Sequence, residues 1–301
     1  MRLSDITRHI EGELVRDGEF SVIAFATEYE QKNFLTFLEK EKFLPALSNE
    51  NISCVLCTPE LADKMPAHIK GVFVCRRPKA SLFALHNALS EHEGYVGKSF
   101  PIKIGKNCCI SPLASIPAEN VIIGDNVTIE PMAVLKGRVV VGDNVVIRSG
   151  AVIGCKGFSF SKDEEGNNIS VIDTAQIILK TGVEIFENVT ISIGIFPWEK
   201  TVIGENTKID AQCHVGHGTH TGKNCLLAAG CRCCGNTLLG DNVWIGVGAI
   251  VSNRVSVGSG ARVSIGAVAT KNVPDGVTVS GNFAIEHHRF LENLKKSIQE
   301  W

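Results

Sequence analysis

An apolar residue recurs at every sixth position through much of the second half of the chain. Counted from Ile203, the twelve positions in phase run to Ala269, and only Thr221 among them is polar. An earlier stretch keeps the same period from Ile104 to Ile153, with a slip of one residue after Ile116. Because an α-helix needs apolar residues about every 3.6 positions, this period excludes a helix and indicates short strands separated by turns.

A second, longer period lies over the first. The tripeptides GEN, GKN and GDN begin at residues 204, 222 and 240, and GDN also begins at 124 and 142. Eighteen residues make three hexads, so three strands and three turns form one coil of a triangular prism, with coils about 4.8 Å apart. Gly and Asn tolerate the left-handed backbone that such corners need. We therefore predict a left-handed parallel β-helix from about residue 104 to 272.

The rest of the sequence divides the chain into three parts. Residues 1–98 mix helical stretches with short strands such as SVIAFA and ISCVLC, which predicts a small α/β domain. Residues 99–276 hold the β-helix. A polar excursion at 154–178 breaks the period of six, and it is either a binding loop or a tolerated insertion without function. Residues 277–301 form a helical tail. The predicted fold is mainly β, with a small N-terminal α/β domain and a C-terminal α-helix. The tail's apolar residues at helical spacing are Leu291, Leu294, Ile298 and Trp301.

Composition and charge argue against several classes of protein. The 301 residues carry a formal net charge of −2 and no basic block, so nucleic acid is not an expected partner. The sequence has no run of 18 apolar residues, so no membrane span is predicted. The N-terminus also lacks the apolar core of a signal peptide. We therefore expect a cytoplasmic protein. Its eleven cysteines are a small share of a long chain and are expected to be thiols.

Two CxxC pairs raise the alternative of a zinc site with four thiolates. In the second pair, Cys231 falls on a core-facing hexad position, as does the neighbouring Cys233. In the first pair, Cys54 and Cys57 lie in a strand pattern, where an offset of three turns them to opposite faces. We therefore predict that the cysteines pack in the core and that the chain binds no metal.

Three histidines follow one another at a spacing of three in QCHVGHGTHTGK (212–223). Histidine is both the commonest metal ligand and a frequent general base. None of the three is in the inward hexad phase, and His214 and His220 are one hexad apart, on successive faces of the triangle. That geometry scatters three ligands. It favours one histidine acting alone, while a metal on the axis of a trimer stays an alternative.

Three stretches of the chain resemble a known enzyme family: Leu3 to Leu89, SGAVIGCKGFSFSKDEEG (149–166) and IGENTKIDAQCHVGH (203–217). They are similar to the hexapeptide-repeat N-acyltransferases of lipid A biosynthesis, which move a hydroxyacyl chain from acyl carrier protein to the 2-amine of a UDP-linked glucosamine. Related enzymes acetylate nucleotide-linked amino sugars with acetyl-CoA. The resemblance implies a homotrimer, a nucleotide-linked amino sugar as acceptor, and an acyl thioester of coenzyme A or acyl carrier protein as co-substrate, with no tightly bound cofactor.

The resemblance also implies catalytic residues. His217 falls on the family's catalytic histidine, Asp210 on the carboxylate that orients it, and Gly235 on the residue whose amide stabilises the oxyanion. The repeat supports one of these pairings independently. Because 217 and 235 differ by 18, His217 and Gly235 are expected on neighbouring coils, about 4.8 Å apart.

Five further residues are expected to bind substrate. Phe37 and Phe43 fall on the aromatic pair that sandwiches uracil in the family, with ordinary core packing as the alternative. His214 stands where the family carries Gln, and Arg254 where it carries a second histidine. Phe158, in the excursion, completes this set.

Departures from the family pattern leave the acyl group open. Ala211 replaces the usual Asn, TISIG (190–194) lacks the family's charged pair, and the tail is shorter than the extension that helps to dock acyl carrier protein. The lipid A reaction with a long hydroxyacyl chain is one alternative. The departures slightly favour the other, a CoA-dependent N-acetylation that feeds a surface polysaccharide. Outside the acyltransferases, the alternatives are a zinc hydrolase and a β-helix scaffold without catalytic activity.

Overall fold

The computed structural model describes residues 1–162, 166–281 and 284–299. It contains a mixed N-terminal sheet with short helices, a prism of parallel strands, and a C-terminal helix. These features confirm the predicted fold class.

A five-stranded sheet organises the N-terminal part of the chain. Its first strand in spatial order is antiparallel to its neighbour, and the other neighbours are parallel. The central strand is buried at every position because side chains cover both faces of the sheet. In spatial order the strands are Glu13–Arg16, Gly71–Val74, Ile52–Cys57, Phe34–Leu38 and Val22–Ile23. The α-helices are Leu3–Ile6, Pro78–Leu89 and Glu93–Val96, and the 3-10 helices are Thr7–His9, Glu41–Ser48 and Pro59–Lys64.

Three parallel sheets form the walls of the prism, and the chain visits them in turn. The first wall has eight strands: Lys103–Ile104, Val121–Ile123, Arg138–Val141, Gln176–Leu179, Lys200–Ile203, His220–Thr221, Leu238–Leu239 and Ser256–Val257. The second wall has nine: Cys109–Ile110, Thr128–Ile129, Val146–Ile147, Glu184–Ile185, Lys208–Ile209, Leu226–Leu227, Trp244–Ile245, Arg262–Val263 and Thr278–Val279. The third wall has seven: Val134–Leu135, Val152–Cys155, Thr190–Ser192, His214–Val215, Arg232–Cys233, Ile250–Val251 and Val268–Ala269.

The hexad positions form the core of the prism. All twelve positions in phase from Ile203 to Ala269 are buried. Even Thr221 belongs there, because its Oγ1 accepts the Gly204 N–H at 2.8 Å and so leaves no unpaired polar group. In the earlier run, Ile104 is 53% exposed because its strand is the last one at that end of the first wall.

The cysteines follow the hexad prediction. The four on the inward positions are buried, and Cys213 and Cys231 bring their sulfur atoms to 3.5 Å on neighbouring coils. Cys54 and Cys57 are also buried, in hydrophobic clusters on the two faces of the N-terminal sheet. All eleven cysteines are free thiols.

The GxN corners divide two tasks between glycine and asparagine. In GEN, Asn206 adopts the left-handed backbone, with φ of 56°. Gly204 has an ordinary φ, but a Cβ there would lie 2.0 Å from the Gly222 carbonyl oxygen on the next coil. The asparagine therefore makes the turn, and the glycine allows the coils to stack at strand spacing.

Two coils are longer than the regular three hexads. Between the strands Val152–Cys155 and Gln176–Leu179 the chain leaves the prism, so the excursion is shorter than the predicted 154–178. It contains an antiparallel hairpin, Phe160–Lys162 with Asn168–Ser170, and residues 163–165 lie outside the described part. The next coil is also extended, because Thr190 pairs with His214, which is one hexad beyond the regular repeat. The extra hexad forms a loop before Lys200.

The C-terminal helix spans His287–Gln299. Its apolar residues Leu291 and Leu294 are 39% and 43% exposed. The side chain of Ile298 and all of Trp301 fall outside the described residues. In the described part of the chain, no helix is both long and apolar enough to cross a bilayer.

Candidate functional site

A cleft of about 630 Å³ lies between the N-terminal sheet and one corner of the prism. The corner is the turn from the third wall to the first, where His217 lies. A volume of this size is typical of small-molecule sites. The N-terminal part contributes Phe25, Thr27, Glu28, Glu30 and Gln31, and the prism contributes Ile195, Trp198, Glu199, Lys200, His217, Gly218, His220, Asn236, Leu238 and Arg254.

The His217 ring lies directly against the next coil. A Cβ added to Gly235 would be 2.6 Å from His217 Nε2, so only glycine leaves room for the ring. His217 Nδ1 is buried and has no hydrogen-bond partner among the described residues. The neighbouring coils thus place a histidine ring beside the Gly235 backbone, as the spacing of 18 predicts.

The Gly235 amide differs from the equivalent amides at the GxN corners. At those corners the amide donates to a carboxylate one coil away, as Asp125 N does to Asp143 Oδ1 at 2.7 Å and Lys223 N to Asp241 Oδ1 at 2.9 Å. Within the described part of the chain, no hydrogen bond uses the Gly235 N–H. This amide is therefore free to donate to a ligand oxygen.

Asp210 and His217 make no contact within one chain. Asp210 follows the strand Lys208–Ile209 at the corner between the second and third walls, one corner before His217. One side of the triangle, a single hexad, separates the corners by up to roughly 20 Å. The carboxylate accepts the Ala211 N–H at 2.7 Å and the Ala229 N–H at 3.2 Å. Within one chain, Asp210 therefore caps its own corner, away from His217.

A different carboxylate, which the sequence analysis missed, lies at the His217 corner. Glu199 lies one regular coil before His217, and both line the cleft. Its Oε2 accepts the N–H groups of Ile195 and Phe196, at 2.8 and 3.2 Å. Burial raises the pKa of Glu199 to about 7, against the effect of these two hydrogen bonds. The signal that could have revealed it is the length of its coil, which has four hexads instead of three.

The same extended loop supplies an aromatic wall. Phe196 is fully buried, packs edge-on against Phe25 at 5.4 Å between ring centroids, and stacks on Trp198 at 5.9 Å. Trp198 Nε1 donates to the Ile23 carbonyl oxygen at 2.8 Å, which ties the loop to the N-terminal sheet. Phe25 and Trp198 both line the cleft. They are the aromatic residues that a planar ligand would meet there.

The predicted aromatic pair is not assembled in this way. Phe37 is partly buried and packs edge-on against Phe25 at 6.4 Å. Phe43 is 54% exposed on a 3-10 helix, with Lys42 Nζ over its ring. Phe37 and Phe43 form no ring pair with each other, and neither lines the cleft. Phe37 therefore follows the packing alternative.

His214 and His220, the other two histidines of the segment 212–223, have different surroundings. His214 points outward from the third wall, and its Nδ1 lies 2.9 Å from Thr190 Oγ1. His220 lines the cleft, and its Nε2 donates to the Lys200 carbonyl oxygen at 2.9 Å. Among the described residues, no three His, Cys, Asp or Glu side chains are grouped closely enough to hold a metal ion. The three histidines thus do not converge on one point.

Arg254 joins His217 at the cleft, whereas Phe158 does not. Arg254 has a φ of 61° because it occupies the corner position that Asn236, with a φ of 58°, takes one coil earlier. Phe158 is 96% exposed and packs edge-on against Phe160 at 5.0 Å. Its contact with substrate stays a prediction.

Burial lowers the pKa of His217, and the positive charges of Arg254 and His214 lower it further. Each of these effects disfavours the imidazolium form. His217 is therefore neutral over more of the acidic range than an ordinary histidine, with a nitrogen lone pair free to accept a proton.

Comparisons with known proteins agree with this geometry. A family model described as bacterial transferase hexapeptide (six repeats) matches residues 120–155 and 200–235, and the second match includes His217 and Gly235. A UDP-3-O-acylglucosamine N-acyltransferase of Coxiella burnetii is 26% identical over 249 residues, 73% of this chain and 71% of the relative. The protein is an acyltransferase, and its chain carries hexapeptide repeats. A second enzyme of that name, from Helicobacter hepaticus, is 29% identical over 214 residues, 62% of either chain.

Solved structures support the fold of this acyltransferase. A UDP-N-acetylglucosamine acyltransferase from Campylobacter jejuni superposes with a TM-score of 0.55 at 21% identity, covering 66% of this chain and 79% of that one. The enzyme of the same name from Bacteroides fragilis gives 0.54 at 25% identity, with 64% and 73% covered. Each superposition leaves about a third of this chain unmatched.

Replacing Gly235 tests whether the ring and the amide act together. In Gly235→Ala the new methyl group would overlap His217 Nε2, so the ring must move away from the amide. We expect a fall in kcat of about 10²-fold or more, as for loss of one oxyanion donor, with an unchanged circular dichroism spectrum. The matched control is Gly281→Ala, where a Cβ meets nothing within 4 Å. Equal activity of the two variants would contradict the assignment.

The pH dependence tests the charge environment of His217. Because its pKa is lowered, the rise of kcat/KM with pH should be centred below the ordinary histidine value of about 6.5. Arg254→Met removes a positive charge, so the rise should move to higher pH, while Arg262→Met on the second wall should leave it in place. Glu199, with a pKa near 7, is a second group of the cleft with a shifted pKa, and Glu199→Gln separates its contribution. If the midpoint of the kcat/KM rise does not move in Arg254→Met, Arg254 does not lower the pKa of the catalytic group.

Proposed function

We propose that the protein transfers an acyl group from a thioester to the amine of a nucleotide-linked amino sugar. The observation that carries this proposal is the pairing of His217 with the Gly235 amide on neighbouring coils, at the edge of a cleft large enough for a nucleotide sugar. The printed name of the relatives, UDP-3-O-acylglucosamine N-acyltransferase, supports an acceptor of this kind.

The reaction then needs only these groups and the two substrates. The amine attacks the thioester carbonyl carbon, and neutral His217 takes a proton from the amine nitrogen as the C–N bond forms. The carbonyl oxygen becomes an oxyanion, which the Gly235 N–H stabilises by donating to it. Collapse of the intermediate breaks the C–S bond, and the departing sulfur takes the proton from His217. The products are an amide and a free thiol.

The walls of the cleft suggest how the acceptor is held. The base stacks on the aromatic residues Phe25 and Trp198, since base stacking on an aromatic side chain contributes about 1–3 kcal/mol. Arg254 and Lys200 attract the phosphates, because both cationic residues line the same cleft. Glu199, at the level of the coil before His217, faces the amine and orients it by accepting a hydrogen bond from its N–H. This assignment replaces Phe37 and Phe43 with Phe25 and Trp198.

The donor is an acyl thioester of coenzyme A or of acyl carrier protein. The relatives' name favours N-acylation of a sugar that already carries an acyl chain, as in lipid A biosynthesis. A short acetyl group from acetyl-CoA is the alternative, and the exposed apolar residues of the C-terminal helix do not distinguish the two. Mass spectrometry of the products formed from each donor with UDP-linked amino sugars identifies the acyl group. We place this reaction in the cytoplasm.

The working unit of this proposal is a homotrimer. An exposed apolar stripe runs over the second wall and its corner with the third wall: Leu226 and Trp244 are paired, 41% and 38% exposed, and Val247 and Ile265 are 50% and 58% exposed. Apolar surface in such a continuous patch is typical of a protein interface. Three prisms that bury this stripe would bring their corners together.

The catalytic assignment predicts unequal effects at the three histidines. His217→Ala should lower kcat by about 10²–10⁴-fold, as for loss of a positioned base, while the acceptor still binds. His220→Ala should cost less, because that ring donates to a backbone carbonyl. His214→Ala, outside the cleft, should cost the least in kcat. The measurement is steady-state kinetics with calorimetric binding of the UDP-sugar, and an active His217→Ala enzyme would refute the proposal.

The assembly has a test of its own. Multi-angle light scattering at micromolar concentration should give three times the chain mass of 32.4 kDa. Trp244→Glu, which places a charge on the apolar stripe, should yield smaller species, whereas Trp244→Phe keeps the apolar surface and the trimer. A monomeric wild-type protein would contradict the trimer and leave the chemistry at His217 to be judged by the kinetics above.

A further inference from the structure

A second cavity of about 470 Å³ lies between the N-terminal part and the excursion and shares no residue with the first cleft. It is enclosed by the segment 9–12, the first half of the helix Pro78–Leu89, and the hairpin of the excursion. We propose that this cavity binds an organic anion, a phosphate or carboxylate group carried on an apolar body.

Positive charge dominates the polar part of the cavity wall. Arg76, Arg77 and Lys162 line it, against a single acidic residue, Glu11. In the described part of the chain, neither arginine takes part in an ion pair. An anion entering the cavity would therefore meet guanidinium groups that pair with no carboxylate of the described residues.

Arg77 points most directly to a missing acceptor. Its Nη1 is buried and has no hydrogen-bond partner among the described residues. A buried charged donor without an acceptor is destabilising, so most such groups in folded proteins are satisfied. Nη1 itself is closed to solvent, so an anion in the cavity would pair with the charge of the guanidinium as a whole, through its other N–H groups.

Lys162 adds a third positive charge to the cavity wall. Its Nζ donates to the Gly166 carbonyl oxygen at 3.0 Å and to Asn168 Oδ1 at 2.9 Å, which fixes the ammonium group within the hairpin. An ammonium group has three N–H donors, so one remains for a ligand. The charge is thus positioned before any ligand arrives.

The remaining wall is apolar and selects the body of the ligand. Ile10, Phe83, Ile169 and Val171 line it, and small residues on the helix leave the space open. The amide of Asn87 is already occupied, because its Nδ2 donates to the Ser170 carbonyl oxygen and its Oδ1 accepts the Ile172 N–H. With that amide engaged, the wall favours an aryl or alkyl group over a nucleobase.

This site gives the excursion a role. The hairpin contributes Ser161, Lys162 and Ile169, and without it the cavity would lack one wall. Because the lining does not include His217 or its neighbours at the corner, the ligand held here is not the reacting amine or thioester. The inference does not depend on the proposed reaction.

Calorimetry with three probes tests the proposal: phenyl phosphate, inorganic phosphate and phenol. Phenyl phosphate carries both features of the ligand and should bind more tightly than either part alone. Arg77→Gln should weaken it by about tenfold or more, since a hydrogen bond to a charged group contributes about 1.5–3 kcal/mol. Arg289→Gln, on the C-terminal helix, is the matched control and should bind phenyl phosphate as the wild type does.

Two further variants keep the test decisive. Ala84→Leu fills the apolar part without changing any charge, so it should weaken phenyl phosphate and leave inorganic phosphate unchanged. Arg254→Gln reports binding in the first cleft instead and should have no effect. Unaltered binding in both Arg77→Gln and Ala84→Leu, or no binding at millimolar phenyl phosphate, would overturn the proposal. A loss confined to Arg254→Gln would do the same by assigning the probe to the other cleft.

Discussion

The stacking of one coil on the next at the spacing of a β-sheet is the constraint on which the rest of the structure depends. Backbone hydrogen bonds hold the coils in register, so residues one regular repeat apart become neighbours through most of the prism. The same closeness forbids a Cβ at Gly204 and leaves just enough room for the His217 ring above Gly235. One spacing thus determines both the backbone at the corners and the geometry of the candidate site.

This constraint explains which features could be predicted from the sequence. The interior of the prism takes up the hexad position and the residue two before it, so the period of six identified buried residues directly, including Thr221 and Cys233. The period of three hexads identified the neighbours His217 and Gly235. Asp210 is different, because its assignment came from a family resemblance and the period places it at another corner.

Residues on inserted loops escaped prediction for a physical reason. A hexad pattern describes contacts within the prism, but Trp198 and Glu199 lie on an extra hexad that leaves it and packs on the N-terminal sheet. Their positions depend on contacts between distant parts of the chain, which no local period encodes. Phe37 and Phe43 illustrate the converse. A phenylalanine ring can stack on a nucleobase, but Phe37 packs against Phe25 while Phe43 is exposed, so the two rings do not form a pair.

The attachment of the extended loop also determines how the cleft can behave. Clefts between two parts of a chain often widen and close by a hinge. Here Phe196 is buried in the core cluster of the N-terminal part, and Trp198 is hydrogen-bonded to the Ile23 backbone, so the two walls are joined at the floor of the cleft. The opening therefore has a fixed width. A cleft of fixed width selects substrates by their size. The protein also loses little conformational entropy when a substrate of matching size binds.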